Sequence, residues 1–362
     1  MVDGRIDLSL DEAAQALAYI QPDERDTWVA MAMALKAEFG EAAFAAWDEW
    51  SAAAGNYDAG AARSVWKSVK AGGGIGFGTL IAAARDRGWT PAQQELSKED
   101  KARRKAEADA RRKALDAAAE ADEAKRAAWH ARVATTCRQL VAEHLAPEGS
   151  SRYLDTKRVR SFGLLFVRQQ LLVAVWLQDE RIDVLATRDE LDAFWKRHKA
   201  GELERDVVSF RHLKRGTIAV PMRDGDGALW NLQFITPTGG KTFLKHSRKS
   251  GLFHLLGDPG DNPAGIGIAE GYATAATIRM ASGWPMVAAF DEGNLCPVAE
   301  IIHARWPGAR LVICGDDDRE TKGNPGRRSA EAAAAAVGGI ALLPSFPAAD
   351  VTRAQQEVPG GG

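Results

Sequence analysis

The chain has 362 residues, a formal net charge of −2 and 46% hydrophobic residues, enough apolar material for two or three cored domains. No stretch approaches the roughly eighteen apolar residues a membrane helix needs, and no basic, apolar, small-residue order opens the chain, so a soluble, cytoplasmic protein with no membrane segment is expected. Cys137, Cys296 and Cys314 lie too far apart for a disulfide framework or a CxxC zinc pair, and the near-neutral charge leaves any nucleic-acid binding to local patches.

From Asp11 to Trp89 the sequence is rich in alanine and aromatic residues, among them Trp28, Phe39, Phe44, Trp47, Trp50 and Trp66. The breakers "FGEA", "AAGNYDAG" and "AGGGIGFGT" divide it, which predicts a small all-α domain over residues 1–93. Residues 94–146 read as a charged helical linker. From Ser97 to Leu145 there is no Gly or Pro, a Ser-x-x-Asp cap opens the stretch, and its first part lacks an apolar stripe. Its acids nearly balance its bases, which favours a solvent-exposed spacer over a DNA-contacting helix.

After Pro147 the pattern turns to strands. "FGLLFV", "QLLVAVWL", "GTIAVPMRDGDGALWNLQFI" and "KTFL" are β-rich, and Asp-Gly-Asp-Gly is a hairpin turn, so residues 147–262 are expected to form a mixed α/β subdomain. Over 263–346 the texture alternates: "GIGIA", "PMVAAF", "ARLVIC" and "GIALLP" are short apolar strands, and helix-like segments separate them. That order predicts a parallel sheet with helices on both faces. Residues 347–362 are expected to be a flexible tail.

In such a sheet, ligands gather at the carboxyl ends of the strands. Asp316, Asp317 and Asp318 leave the third strand there, and Glu270 leaves the first. Carboxylates this close resist joint ionisation unless a cation or proton lies between them. If the two strands are neighbours, Glu270 faces Asp316 and Asp318 across about 5 Å, while Asp317 would point elsewhere in a regular turn. No His or Cys joins them, which favours Mg²⁺ or Mn²⁺ over zinc. Upstream, "RDVVSFRHLKRG" and "KTFLKHSRKSG" bring Arg211, Arg215, Lys241, Lys245 and Arg248, bases suited to a template or a triphosphate. Arg327 and Arg328 open the helix after Asn324, where the dipole favours anions and a bound phosphate would offset their cost.

"IAEGYATAATI" followed by "VICGDDD" resembles the Toprim domain shared by bacterial-type primases, topoisomerases and some nucleases. "VAAFDEGNL", "CGDDDRETKGNPG" and "GGKTFLKHSRKSGLFHLLGD" resemble its form in plasmid and phage primases. "ERDTWVAMAMALKAEFG", "AWDEWS" and "GIGFGTLIAAARDRGW" are similar to the helical PriCT-2 domain of mobile-element primases. The resemblance implies a primase, a nucleotidyltransferase making RNA primers on single-stranded DNA from ribonucleoside triphosphates. Glu270, Asp316 and Asp318 would then be its metal-holding catalytic acids, and Lys241 and Arg248 match the basic segment best. Thr274 stands where bacterial primases carry a further Asp, and Asp350 is the one aspartate after the fourth strand, where such primases show an acidic cluster. No GxxxxGK[ST] motif is present, so a helicase would act in trans. A Toprim nuclease and a non-catalytic DNA-binding accessory protein are the alternatives; a topoisomerase would need a gate domain for which the chain is too short.

Overall fold

In the computed structural model, residues 8–69, 75–91, 97–316, 321 and 324–344 are described, and the chain divides into two compact units, Met1–Ala124 and Lys125–Gly362. The first unit is helical. α1 (Leu10–Leu17), α2 (Arg25–Phe39), α3 (Phe44–Ser51), α4 (Ala59–Ser68) and α5 (Phe77–Arg85) enclose a core centred on Leu17, Leu35, Trp47 and Leu80. Local chemistry starts its helices: Ser9 and Glu12 form a reciprocal capping box on α1, and the Asp58 carboxylate accepts from the Ala61 amide at 2.6 Å.

α6 (Lys98–Glu143) is a single helix of 46 residues, begun by the Ser97 hydroxyl accepting from the Asp100 amide at 3.0 Å. Within the first unit its opening turns are pinned by Arg104 to Glu12 at 2.9 Å and by Arg111 to Glu38 at 2.8 Å. Its last turns are not a spacer. Trp129, Val133, Cys137 and Leu140 are buried in the second unit, and their steps of four, four and three residues place them on one helical face. The expected boundary at 147 therefore moves back to about residue 125, because Val133, Cys137 and Leu140 complete a core with Leu145, Val167, Leu171 and Phe234, and Trp129 stacks on His246.

Among its described residues the second unit holds three sheets. β1 (Leu145–Ala146), α7 (Arg152–Lys157), β2 (Leu165–Val167), β3 (Leu171–Trp176), β4 (Arg181–Leu185), α8 (Arg188–Lys199), β5 (Val208–Leu213), β6 (Ile218–Arg223), β7 (Leu229–Ile235) and β8 (Lys241–Thr242) make two antiparallel sheets, ordered β1-β2-β6-β7-β8 and β4-β3-β5. The predicted hairpin joins β6 and β7: the Asp224 carboxylate accepts from the amides of Asp226 and Ala228, and Gly227 supplies φ of 84°.

β9 (His254–Leu256), β10 (Gly265–Ala269), α9 (Tyr272–Ser282), β11 (Met286–Ala288), α10 (Leu295–Arg305), β12 (Arg310–Cys314), α11 (Pro325–Val337) and β13 (Ile340–Leu342) form the third sheet, ordered β13-β12-β10-β11-β9. β10 to β13 run parallel, as their alternation with helices predicts. β9 pairs antiparallel with β11, so residues 254–256, expected to belong to the preceding subdomain, form the edge of this sheet. Helices cover both faces. α9 packs Ala275 and Ala276 with Val220, Met222 and Leu256 on one side, while Val298, Ile302, Ala330 and Ala333 of α10 and α11 lie against Ile266 and Ile268 on the other. The expected tail, 347–362, lies outside the described residues. No helix among the described residues is long and apolar enough to cross a membrane.

Candidate active site

β10 and β12 are direct parallel neighbours with Ala269 opposite Cys314, so both chains leave the sheet at the same edge. Glu270 follows one strand by one residue, and Asp316 follows the other by two. The sheet thus brings together two of the three expected acids. Asp318, like Asp317, lies outside the described residues.

The electrostatics of Glu270 report its surroundings. Its carboxyl is pushed up to about 7, first by burial, then by the charge of Asp316; Lys241 pulls the other way, and Glu292 and Asp291 add to the repulsion. Asp291 and Glu292 leave the carboxyl end of β11, the other neighbour of β10. The turn that carries them is tightly held. The Phe290 amide donates to the Glu270 carbonyl at 2.7 Å, with Phe290 in the left-handed region at φ of 77°. Buried Asn294 accepts from the Gly251 amide at 2.7 Å and donates to the carbonyls of Leu252 and Ala289. Lys249 lies 3.5 Å from Asp291.

Beside these acids is a cleft of about 610 Å³ lined by Arg152, Tyr153, Thr156, Lys157, Pro237, Thr238, Gly239, Lys241, Glu270, Gly271, Ala273, Thr274 and Asp316. Lys241, from β8, is the one expected base that lines it. Arg152 and Lys157, from α7, line it as well and escape a reading that seeks bases near the acids, because they precede Glu270 by more than 110 residues. The remaining bases lie elsewhere. Arg211 is half-buried and donates to the carbonyls of Phe243 and Phe210 at 2.9 and 2.8 Å, a bracing role between strands. The Arg248 guanidinium sits 5.0 Å over the Trp230 ring and donates to the Ser250 carbonyl. Arg215 and Lys245 are exposed outside the cleft lining. At α11 the Asn324 side chain does cap the helix, accepting from the Arg327 amide at 3.3 Å, while the Arg327 guanidinium lies 3.6 Å from Glu331 and Arg328 is exposed.

The donor chemistry fits a hard divalent cation. Glu270 and Asp316 offer only oxygens, and their mutual repulsion is what a cation relieves. Nearby Cys314 is buried, with its Sγ 3.8 Å from the Val312 carbonyl, and burial pushes its thiol up to about 11. Among the described residues no three His, Cys, Asp or Glu side chains form a metal-holding group; the expected third donor, Asp318, is not among them.

A parallel sheet with acids at the ends of its adjacent strands is the architecture of a Toprim domain, and residues 265–353 match the model of that family. Residues 13–84 match Primase C terminal 2, PriCT-2, so the chain carries a match to a PriCT-2 domain ahead of its match to a Toprim domain. Two proteins of Escherichia coli, each a DNA primase TraC, are similar to it: 50% identical over 133 residues and 48% over 139. These stretches cover 35% and 37% of this chain but 12% and 10% of the relatives, so the chain spans about a tenth of their length. Among solved structures, a DnaG primase catalytic domain bound to single-stranded DNA aligns over 65% of this chain and 77% of its own, with 14% identity and a TM-score of 0.37.

Proposed function

We propose that the second unit synthesises short RNA primers on single-stranded DNA, as part of a DNA primase of plasmid or phage replication. The observation that carries the reading is the cleft itself, where two carboxylates at paired strand ends face three cationic side chains. That separation of charge suits a nucleoside triphosphate, whose phosphates need cations while its reacting centre needs a proton acceptor.

In the proposed reaction the 3′ hydroxyl of one nucleotide attacks the α-phosphate of the next, a phosphodiester bond forms, the α–β bond breaks and pyrophosphate leaves. Arg152, Lys157 and Lys241 hold the triphosphate and offset the charge on the leaving group. Glu270, with its carboxyl near 7, is suited to take the hydroxyl proton or to hold a cation. Magnesium or manganese bound by Glu270, Asp316 and Asp318 would supply polarisation of the α-phosphate.

Incorporation of labelled ribonucleotides on mixed single-stranded templates, with Mg²⁺ or Mn²⁺, tests the proposal. Template-dependent oligoribonucleotides are expected. Shortened template without incorporation would turn the reading to a nuclease, and intact template without incorporation would overturn it.

A further inference from the structure

The two walls of the cleft are supported very differently. Glu270 and Asp316 stand at the ends of hydrogen-bonded strands. The opposing wall of Arg152, Tyr153, Thr156 and Lys157 rides on α7, which has only 6 residues and cannot hold itself as a helix. At its start the Ser151 hydroxyl donates to the Gly216 carbonyl at 2.6 Å. At its end Arg158 turns left-handed with φ of 52°, and no helix or strand follows until β2.

Tyr272 grips that irregular segment. Its hydroxyl donates to the Arg160 carbonyl and accepts from the Phe162 amide, both at 2.8 Å. The residue is fully buried, so both bonds are made away from solvent. His254 grips less completely. Its ring nitrogens lie 3.1 Å from the Pro221 carbonyl and 2.7 Å from the Phe162 carbonyl, and a neutral imidazole has one N–H to donate to the two. Tyr272 also opens α9, two residues after Glu270. One hydroxyl therefore ties the segment behind the cationic wall to the helix start beside the catalytic carboxylate.

We infer that Tyr272 is a positioning residue: its hydroxyl sets the placement of the α7 wall relative to Glu270 and thereby tunes binding of the triphosphate. The inference rests on the proposed function. With the hydroxyl removed, the aromatic packing stays and the strap loosens, so the substrate must order the wall as it binds. That cost falls on binding, while the carboxylates, held by the sheet, keep their chemistry.

The experiment is Tyr272→Phe in the full chain. KM for ribonucleoside triphosphates, measured by incorporation, is expected to rise about tenfold with kcat changed less than about twofold, as loss of one or two hydrogen bonds spent on binding implies. Hydrogen exchange at the Phe162 amide is expected to accelerate. Val298→Ala, in the core on the other face of the sheet, is the control: it lowers stability and leaves KM unchanged. An unmoved KM, an unprotected Phe162 amide in the parent protein, or an equal KM rise in Val298→Ala overturns the positioning role. Absence of incorporation and of triphosphate binding by the parent protein instead overturns the proposed function, and the inference with it.

Discussion

The two units spend their polar side chains in opposite ways. In the helical unit the indoles of Trp28, Trp47, Trp50 and Trp66 each donate within the unit, to Ser51, Trp28, Ile20 and Glu41, and the Trp47 ring meets those of Trp28 and Trp66 at a tilt. Glu41 is bound by Trp66 and Lys36, which hold its carboxyl below the usual range. In the second unit, Glu270 is held in the opposite sense, above its range by burial and Asp316, and cations face it across open space. Polar groups that satisfy each other are explained by folding; groups left in mutual strain at a cleft call for a ligand. Residues 8–91 also carry eleven acidic against seven basic side chains, a balance that repels a phosphate backbone. The contrast is the ground for proposing the chemistry in residues 125–362.

The largest expected effect divides the chain at two places. Residues 125–362 should fold alone and incorporate ribonucleotides, whereas residues 147–362 should not fold. The second fragment loses Trp129, Val133, Cys137 and Leu140, and at about 2 kcal/mol for each buried side chain the deficit is about 8 kcal/mol, comparable to the whole stability of a typical domain. Circular dichroism and thermal unfolding of the two fragments check this. A folded but inactive 125–362 would break the contrast, because the helical unit would then hold part of the chemistry.

Next comes the acid pair. Asp316→Asn or Glu270→Gln is expected to reduce primer synthesis by about two orders of magnitude or more, as removal of a charge that positions a catalytic ion does. Glu41→Gln in the helical unit should leave synthesis unchanged while lowering stability slightly. Initial rates at saturating triphosphate measure all three, and retained synthesis in Asp316→Asn would sink the assignment.

How far the sequence foretold this depends on whether a feature is local. Alternation of short apolar strands with helices places β10 to β13 within a residue or two, because each element carries its own period and its own stop: Gly283 and Gly338 both end helices in the left-handed region, at φ of 73° and 63°. The adjacency of β10 and β12 follows from a doubly wound order, and with it the meeting of Glu270 and Asp316. Non-local features escape. That β9 joins β11, and that β3, β4 and β5 leave the first sheet to form their own, is decided by packing between distant segments. The short α7 has no period to announce it, so Arg152 and Lys157 read as ordinary surface bases. α8 does carry a signal, a Thr187–Glu190 capping box, which a search for strands passes over. Trp129 to Leu140 form a legible stripe that the charged first part of α6 masks when the helix is read whole.

The cations give a smaller effect that sharpens the division between walls. Lys157→Ala and Lys241→Ala are each expected to weaken triphosphate binding about tenfold through loss of a charge-assisted contact. Arg211→Ala should act on stability instead, since its guanidinium serves backbone carbonyls. Equilibrium binding of a labelled triphosphate beside thermal unfolding separates the two. Equal loss of affinity in Arg211→Ala would mean that the cationic surface extends beyond the cleft lining.

The smallest effect is a difference of sign in how the two units respond to acid. Glu270 in the folded protein keeps its proton up to about 7, against an ordinary 4.5. Between those values the folded state holds a proton that the unfolded state has released, so raising the pH favours unfolding. The contribution of Glu270 to stability is therefore greatest below about pH 4.5 and is lost as the pH rises through 7. Glu41 runs the other way: its carboxyl lies below 4.5 because Trp66 and Lys36 favour the charged form, so its contribution is complete above 4.5 and is lost as the pH falls through its lowered value. Thermal unfolding of residues 1–124 should show a midpoint that holds from pH 8 to about 4.5 and falls below it, while residues 125–362 should show a midpoint that rises from pH 8 to 5. Glu270→Gln should flatten the second curve. Mg²⁺ at pH 7.5 should raise the midpoint of the parent fragment, since a cation bound at the acids relieves the repulsion a proton relieves at lower pH. If Glu270→Gln leaves both the slope and the Mg²⁺ response intact, the strain on this carboxyl is not what draws the cation, and the acids at the strand ends lose their claim to be its site.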